Sequence, residues 1–187
     1  MKKIILASQS PRRKELLEKC GLPFEIDVAD IDETINASKH LTDEIRKLSI
    51  RKAEEVLKRH EDAIVIGSDT IVVIDHEVLG KPHTEEEARD MLRKLSGKTH
   101  QVITGIAILS SNRTYSNTST SYVTFEILTE EEIEKYVLTK EPMDKAGAYA
   151  IQGIASRYIK NINGDYYSIM GFPVSMVYEE LKNIDLY

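Results

Sequence analysis

The sequence contains one cysteine, no tryptophan and no hydrophobic run long enough to cross a membrane. Because Cys20 has no partner in the chain, an internal disulfide is excluded, and this cysteine usage is typical of a reducing compartment. The apolar run at residues 4–7 is too short for the core of a signal peptide. We therefore predict a cytoplasmic protein without a membrane partner.

The chain also has fewer basic than acidic residues. It contains 25 Lys and Arg residues and 31 Asp and Glu residues, which gives a net charge of −6. A protein that binds a nucleic-acid polymer or a membrane surface needs a basic face to replace counterions, so both partners are unexpected. The five histidines are not spaced as zinc ligands. A small anionic ligand is still compatible with this charge, because it requires only a local basic cluster or a bridging divalent cation.

The chain is long enough, at 187 residues, for one domain with a sizeable core. No repeat, low-complexity tract or linker divides it. Strand-like and helix-like patterns alternate irregularly, and residues 101–109 and 114–127 are expected to pair as antiparallel strands. We predict a single α/β domain over residues 1–187, with a twisted, mixed central sheet flanked by helices.

Local signals place the elements along the chain. Helices are predicted at residues 42–59 with Thr42 as the N-cap, after the capping boxes that begin at Thr84 and Thr129, and at residues 173–182. Asp75 and His76 are expected to form the turn of a hairpin. Short strands are predicted at residues 3–7, 24–28, 63–67, 158–162 and 166–169.

The segment from Ser8 to Arg13 joins the first strand to the first helix. Ser10 is a good N-cap and Pro11 suits the first helical position. Free N–H groups at a helix N-terminus attract phosphate or carboxylate, and Arg12 and Arg13 add charge and bidentate hydrogen bonds. The pattern indicates either a polyphosphate site or an ordinary capped helix with a solvated basic first turn.

Polar residues also follow other predicted strands, namely Glu33, Asp69 and Lys81. Ligands of open α/β sheets collect where strand ends face a cleft, so we expect these residues near the first helix. Asp69 comes directly after a nearly continuous apolar run, where a carboxylate could hold Mg²⁺ or activate a water molecule. The alternative is that Asp69 caps a turn together with its neighbours.

Eight segments, spread over nearly the whole chain, resemble the Maf family of nucleotide pyrophosphatases, once described as septum-formation inhibitors. They are residues 6–13 (LASQSPRR), 32–34 (DET), 51–53 (RKA), 67–70 (GSDT), 80–82 (GKP), 145–153 (KAGAYAIQG), 161–164 (NING) and 171–173 (GFP). The resemblance implies a Maf- and ITPase-like fold with a nucleotide cleft, and hydrolysis of a nucleoside triphosphate to the monophosphate and pyrophosphate with Mg²⁺ or Mn²⁺.

The resemblance also implies roles for individual residues. Asp69 would be the proton acceptor that prepares the attacking water, and Glu33 would join it in holding the metal. Lys52 and Lys81, read alone as solvated charges, would stabilise the transition state together with Arg13. Hydrogen bonds to the phosphate tail would come from Ser8 and Ser10.

Three further positions divide the family by substrate. The dTTP/UTP type carries Arg, Thr and Gln where this chain has Arg12, Thr70 and Gln152, whereas the 7-methyl-GTP type carries Trp, Gln and Glu. We therefore expect dTTP and UTP as substrates, with modified pyrimidine nucleotides such as 5-methyl-UTP as an extension. The alternatives are a 7-methyl-GTP pyrophosphatase and a nucleotide-binding regulator of septum formation with little catalysis. By analogy with the family, a homodimer is expected.

Overall fold

The computed structural model of the chain describes residues 2–184. Its strands are β1 (Ile4–Leu6), β2 (Glu25–Ile26), β3 (Ile64–Ile74), β4 (Glu77–Leu79), β5 (Thr99–Ser110), β6 (Arg113–Phe125) and β7 (Ile159–Asn163). Its α-helices are α1 (Pro11–Glu18), α2 (Leu41–Leu57), α3 (Glu85–Leu95), α4 (Glu130–Leu138), α5 (Tyr166–Ile169) and α6 (Val174–Lys182). Short 3₁₀ helices span Glu141–Asp144, Ala146–Ala148 and Ile154–Tyr158.

One mixed sheet contains the seven strands. Its order is β2-β1-β3-β5-β6-β7, and β4 pairs with β3 outside this path. Strand β1 is parallel to both neighbours, with Ile5 opposite Glu25 on one side and Val65 on the other. The pairs β3–β4 and β6–β7 are antiparallel. The predicted α/β class with a sheet of both strand directions is confirmed.

The chain divides into two compact units. One comprises Met1–Asp69, Thr104–Ser119 and Gly171–Tyr187, and the other comprises Thr70–Ile103 and Thr120–Met170. Strands β3, β5 and β6 each contribute residues to both. The prediction of one domain over residues 1–187 stays a prediction.

Helix α2 supplies part of the core of the first unit. Its side chains Ala53 and Val56 pack with Ile5 of β1, Val65 of β3 and Ala107 of β5 in one buried apolar cluster. The parallel strand β1 is buried along its whole length, which explains its continuous apolar sequence. Burial of one apolar face thus anchors α2 on the sheet and fixes which of its residues lie next to β3.

Several local predictions are confirmed. Ser10 is the N-cap of α1, with Pro11 in its first turn. Asp75 and His76 adopt left-handed conformations in the β3–β4 turn, as a tight hairpin requires. Thr129 opens α4 with a complete capping box.

Of the capping box predicted at Thr84, one of the two hydrogen bonds is present. The Thr84 hydroxyl accepts a hydrogen bond from the N–H of Glu87, at 3.1 Å. The carboxylate of Glu87 accepts from the N–H of His83 at 2.7 Å, one residue earlier than the reciprocal bond of a capping box.

Two predictions about element type and bounds are wrong. Thr42 is not an N-cap, because α2 begins at Leu41 and the carbonyl of His40 already accepts from the N–H groups of Asp43 and Glu44. Residues 166–169 form helix α5 instead of a strand. Asp165 explains this outcome, because its carboxylate accepts from the N–H of Tyr167 and starts a helical turn.

Strand β3 is also longer than predicted. The apolar run was expected to end at Gly67, but the strand continues through Ser68, Asp69 and Thr70 to Ile74. The chain turns only at Asp75 and His76, where φ is positive. No helix within residues 2–184 combines the length and apolar character that a membrane span requires.

Candidate active site

The segment between β1 and α1 is held by two serine hydroxyls. Ser8 is buried, and its hydroxyl accepts a hydrogen bond from the N–H of Ser10 at 3.2 Å. The hydroxyl of Ser10 accepts from the N–H of Arg13 at 3.5 Å. The helix N-terminus therefore has the capped geometry that the sequence predicted, with a guanidinium group in its first turn.

Arg13 is buried deeply for an arginine, with 12% of its side chain exposed. Its Nη1 donates to the Ser8 hydroxyl at 3.3 Å and its Nε donates to the carbonyl of Gly171 at 3.0 Å. Nη2 lies 3.6 Å from Oδ1 of Asp69. Burial lowers the pKa of the guanidinium, while the charge of Asp69 opposes that shift, and an arginine remains charged at neutral pH.

Lys52 joins two carboxylates. Its Nζ lies 2.8 Å from Oδ2 of Asp69 and 2.9 Å from Oε1 of Glu33. The Lys52 and Asp69 side chains are 8% and 17% exposed, whereas Glu33 is 59% exposed. Arg13, Asp69, Lys52 and Glu33 form a row of alternating charges, which we call the charged cluster.

Two glycines allow α2 to approach the sheet closely enough to bring Lys52 to Asp69. A Cβ atom on Gly67 would lie 2.3 Å from the carbonyl oxygen of Ser49, and one on Gly105 would lie 2.6 Å from that of Ile45. Neither distance is compatible with a side chain. Sequence reasoning did not assign these glycines a role, although a glycine inside a strand pattern signals close backbone approach.

A second feature that sequence reasoning did not assign is the clamp on the loop that carries Glu33. The carboxylate of Asp32 accepts from both the N–H and the hydroxyl of Thr34, and the hydroxyl hydrogen bond lowers the pKa of that carboxyl group most. Arg51 donates to the carbonyls of Asp32 and Thr34 at 3.0 and 3.3 Å. Because Arg51 and Lys52 are consecutive, the clamp places Glu33 beside the lysine.

Asp69 lies inside β3, so the prediction that it follows the end of a strand is wrong. The preceding residue, Ser68, is fully buried and its hydroxyl lies within hydrogen-bond distance of the carbonyls of Gly105 and Gly171, at 2.9 and 3.0 Å. The Gly171 carbonyl also accepts from Arg13. Strand pairing and these bonds hold the Asp69 backbone, which makes its position more rigid than a turn would.

The structure joins five of the predicted residues in one chain of contacts within the first unit, in the order Ser8, Arg13, Asp69, Lys52 and Glu33. Ser10 caps the same helix, and Arg12 lies half-buried in its first turn. Thr70 is the next residue of β3 and the first of the second unit.

Lys81 and Gln152 lie in the second unit, and both are exposed. Lys81 follows β4, and Gln152 lies in a turn before the 3₁₀ helix Ile154–Tyr158. A hydrogen bond of 3.0 Å from the N–H of Gly147 to the carbonyl of Gly80 joins the segments that precede these two residues.

The carboxylates of the charged cluster, Glu33 and Asp69, are the candidate metal ligands of this site. Within residues 2–184, no group of three or more His, Cys, Asp or Glu side chains is arranged to hold an ion. Glu33 and Asp69 are two oxygen donors facing the same ammonium group. Mg²⁺ is usually held by one or two carboxylates with water and substrate phosphates, so this donor set fits a metal that arrives with a nucleotide.

A family model described as Maf-like protein matches residues 3–184. The chain belongs to the Maf family. A relative from Bacillus cereus (strain G9842), named dTTP/UTP pyrophosphatase, is 52% identical over 186 residues, which cover 100% of this chain and 97% of the relative. A relative from Bacillus mycoides (strain KBAB4) with the same name is 52% identical over 185 residues, which cover 99% of this chain and 97% of the relative.

A solved structure of another protein shares the fold of this chain. A HAM1 protein from Coxiella burnetii superimposes on this member of the Maf family with a TM-score of 0.57 and 17% sequence identity. The match covers 98% of this chain and 100% of the other. The family predicted from the eight sequence motifs is therefore confirmed, and so is the α/β architecture.

Proposed function

We propose that the protein hydrolyses dTTP and UTP, and modified pyrimidine nucleotides such as 5-methyl-UTP, to the monophosphate and pyrophosphate. The observation that carries the proposal is the charged cluster, in which a strand carboxylate, Asp69, lies between Lys52 and Arg13. The names of the relatives, which are 52% identical over essentially the full chain, support the choice of substrate.

Asp69 acts as the proton acceptor in this proposal. Its carboxylate takes a proton from the water that attacks the phosphorus, and β3 holds it in place during the reaction. Lys52, at 2.8 Å from Asp69, stabilises the negative charge that develops on the phosphate oxygens. Burial of Lys52 strengthens that interaction, because charges attract more strongly where water is excluded.

The remaining phosphate contacts come from the helix N-terminus and from Lys81. Arg13, Ser8 and Ser10 bind the triphosphate tail, with the serine hydroxyls free to rotate toward phosphate oxygens. Glu33 and Asp69 would hold Mg²⁺ or Mn²⁺ together with the substrate phosphates. When bound, the metal neutralises phosphate charge and orients the leaving pyrophosphate.

Arg12, Thr70 and Gln152 are proposed to select the base. The side-chain amide of Gln152 can both donate to a pyrimidine carbonyl and accept from the pyrimidine N3–H. A 7-methylguanine base carries a positive charge and a different hydrogen-bonding edge, so it leaves that amide unsatisfied. A cytoplasmic location, for which the lone cysteine argues, and a homodimer are part of the same proposal.

Pyrophosphate release from a panel of triphosphates tests the proposal. With Mg²⁺ or Mn²⁺ we expect kcat/KM for dTTP and UTP to exceed that for 7-methyl-GTP by about a hundredfold or more, because a site built for one hydrogen-bonding edge rejects another. A preference for 7-methyl-GTP would contradict the substrate assignment. Full activity after exhaustive chelation of divalent cations would contradict the proposed requirement for a metal.

The variant Asp69→Asn separates an enzyme from a nucleotide-binding regulator with little catalysis. The change preserves shape and removes the proton acceptor, so we expect turnover of dTTP to fall by about a thousandfold. Calorimetry with a dTTP analogue bridged by nitrogen between the α and β phosphates measures binding, which we expect to persist. The matched control is Asp62→Asn, an exposed site. Undiminished turnover in Asp69→Asn would exclude Asp69 as the base.

A further inference from the structure

Gln152 lies at the tip of a turn that is closed by one backbone hydrogen bond. The N–H of Gly153 donates to the carbonyl of Ala150 at 3.0 Å. Ala150 and Ile151 are buried, whereas the side chain of Gln152 is exposed. The direction of the Gln152 amide therefore depends on what holds the two ends of this turn.

The first end is held by a tyrosine. The N–H of Ala150 donates to the hydroxyl of Tyr136 at 3.1 Å, and that hydroxyl donates to Oε1 of Glu141 at 2.8 Å. Tyr136 lies on α4 and is fully buried. A phenol has one proton to donate, so its role as donor to the carboxylate and acceptor from the amide is fixed.

The second end is held by the same carboxylate. Oε2 of Glu141 accepts from the N–H of Ile154 at 3.0 Å, and Oε1 accepts from that of Ala155 at 3.4 Å. These are the first two residues of the 3₁₀ helix Ile154–Tyr158. A Cβ atom on Gly153 would lie 2.4 Å from Oε2, so the carboxylate occupies the space that any larger residue at position 153 would need.

We infer that the Tyr136–Glu141 pair positions Gln152, and that Glu141 thereby helps to determine which base is accepted without contacting the substrate. The inference rests on the proposed role of Gln152 in base selection. Both ends of the turn are bound to one pair of side chains, and the pair belongs to α4 and to the 3₁₀ helix Glu141–Asp144 that follows it. Glu141 is accordingly a positioning residue.

We expect the hydrogen bond from Tyr136 to Glu141 to persist at neutral and mildly alkaline pH. Burial raises the pKa of the Tyr136 phenol, an effect that the Ala150 N–H opposes and the Glu141 carboxylate reinforces. The phenol consequently keeps its proton and continues to donate to Glu141 at neutral and mildly alkaline pH.

The first test is Glu141→Ala. A mispositioned Gln152 weakens base binding equally in the ground state and the transition state, so KM for dTTP and UTP is expected to rise about tenfold with kcat nearly unchanged. We expect kcat/KM for ATP and inhibition by inorganic tripolyphosphate to stay the same. Glu131→Ala, an exposed change on α4, is the matched control. Equal loss with dTTP and ATP would overturn the inference.

The second test is a double-mutant cycle with Gly153→Ala. Gly153 has a φ of −99°, which alanine tolerates, so the added methyl group acts by displacing the Glu141 carboxylate. Gly153→Ala alone is expected to reproduce the rise in KM, and in the Glu141→Ala background it is expected to add almost nothing. Independent, multiplying effects of the two changes would show that they do not act through one contact.

Hydrogen exchange separates this inference from the proposed function, because it requires no turnover. In Glu141→Ala, the amides of Ala150 and Ile154 are expected to exchange at least about tenfold faster, while those of α3 keep their protection. Unchanged exchange at both amides would overturn the positioning role. Failure of the unmodified protein to hydrolyse pyrimidine triphosphates would instead overturn the proposed function.

Discussion

Lys52 holds its ammonium group between two carboxylates with only 8% of its side chain exposed. Moving charges out of water is costly, and a well-packed apolar side chain would serve stability equally well at such a position. Arg13, on the other side of Asp69, is likewise a charged side chain that is largely removed from water. The stability of the fold does not explain these groups, whereas the proposed binding of a triphosphate would explain them.

Arg13 and Arg12 are adjacent but are expected to respond differently to substitution. Because Arg13 contacts Ser8 and Asp69, Arg13→Ala should lower kcat/KM by about a hundredfold for every triphosphate that the protein accepts. Arg12→Ala should instead change the ranking of dTTP, UTP and 7-methyl-GTP. Steady-state kinetics on the panel distinguishes these results, with thermal unfolding as a check on folding. A loss in Arg13→Ala confined to one base would contradict its assignment to the phosphates.

At the scale of elements, the approach of α2 to β3 determines the geometry of the charged cluster. The approach depends on Gly67, whose missing side chain leaves room for the backbone of Ser49. One turn further along α2, Lys52 then reaches Asp69, two residues beyond Gly67 on β3. A small change in helix position would therefore lengthen the ion pair as well as disturb the core.

Gly67→Ala is expected to lower the free energy of unfolding by about 1–3 kcal/mol, because the new methyl group would meet a backbone oxygen at 2.3 Å. Turnover should fall as well, since α2 must move away from β3. Urea unfolding and pyrophosphate release measure the two effects. Gly80→Ala is the control for stability, because a Cβ there has open space and should change stability by less than about 0.5 kcal/mol. Equal stability of the two variants would refute the packing argument.

At the scale of the whole molecule, we expect stability in acid to depend on a buried histidine in β5. The Nε2 of His100 lies 2.8 Å from the hydroxyl of Tyr149, and the rings of Phe125 and Tyr149 pack edge-on against it. Among residues 2–184, Nδ1 has no hydrogen-bond partner. Burial lowers the pKa of His100 to about 4, so the imidazole is neutral in the folded protein at neutral pH.

The pH dependence of stability follows from that shift. Below pH 6.5 the unfolded chain binds a proton at His100 that the folded protein does not bind until about pH 4, so unfolding becomes easier as the pH falls through this window. The expected loss is about 3 kcal/mol between pH 6.5 and pH 4. Hydrogen bonds from Arg59 and His60 lower the pKa of Asp27 to about 2. Protonation of Asp27 therefore reduces stability mainly below pH 4.

Urea unfolding at several pH values checks this expectation. His100→Gln should be less stable at pH 7, because it loses ring packing, but its stability should decline less steeply between pH 6.5 and pH 4. The exposed His83→Gln should retain the slope of the unmodified protein. If His100→Gln declines as steeply as the unmodified protein, the buried imidazole is not the cause.

Sequence reasoning succeeded where one local signal acts alone and failed mainly where two preferences compete for the same segment. The cap at Ser10 and the turn at Asp75 were predicted correctly, because each depends on residues within one turn. The segment from Ser68 to Thr70 looked like a turn but is strand, because pairing and burial outweigh the turn preference of its residue types. The Asp165 cap likewise outweighed the strand propensity of the residues after it.

The sequence by itself determined the family and the residue types available to the site, because the motifs lie in short segments of the chain. The tertiary structure decided which charges meet. Arg13 and Gly171, 158 positions apart, form a hydrogen bond, and Lys52 and Asp69 form an ion pair across 17 positions. The Lys52–Asp69 pair depends on how closely α2 and β3 pack, and that distance is set by side-chain volume and burial summed over the whole core.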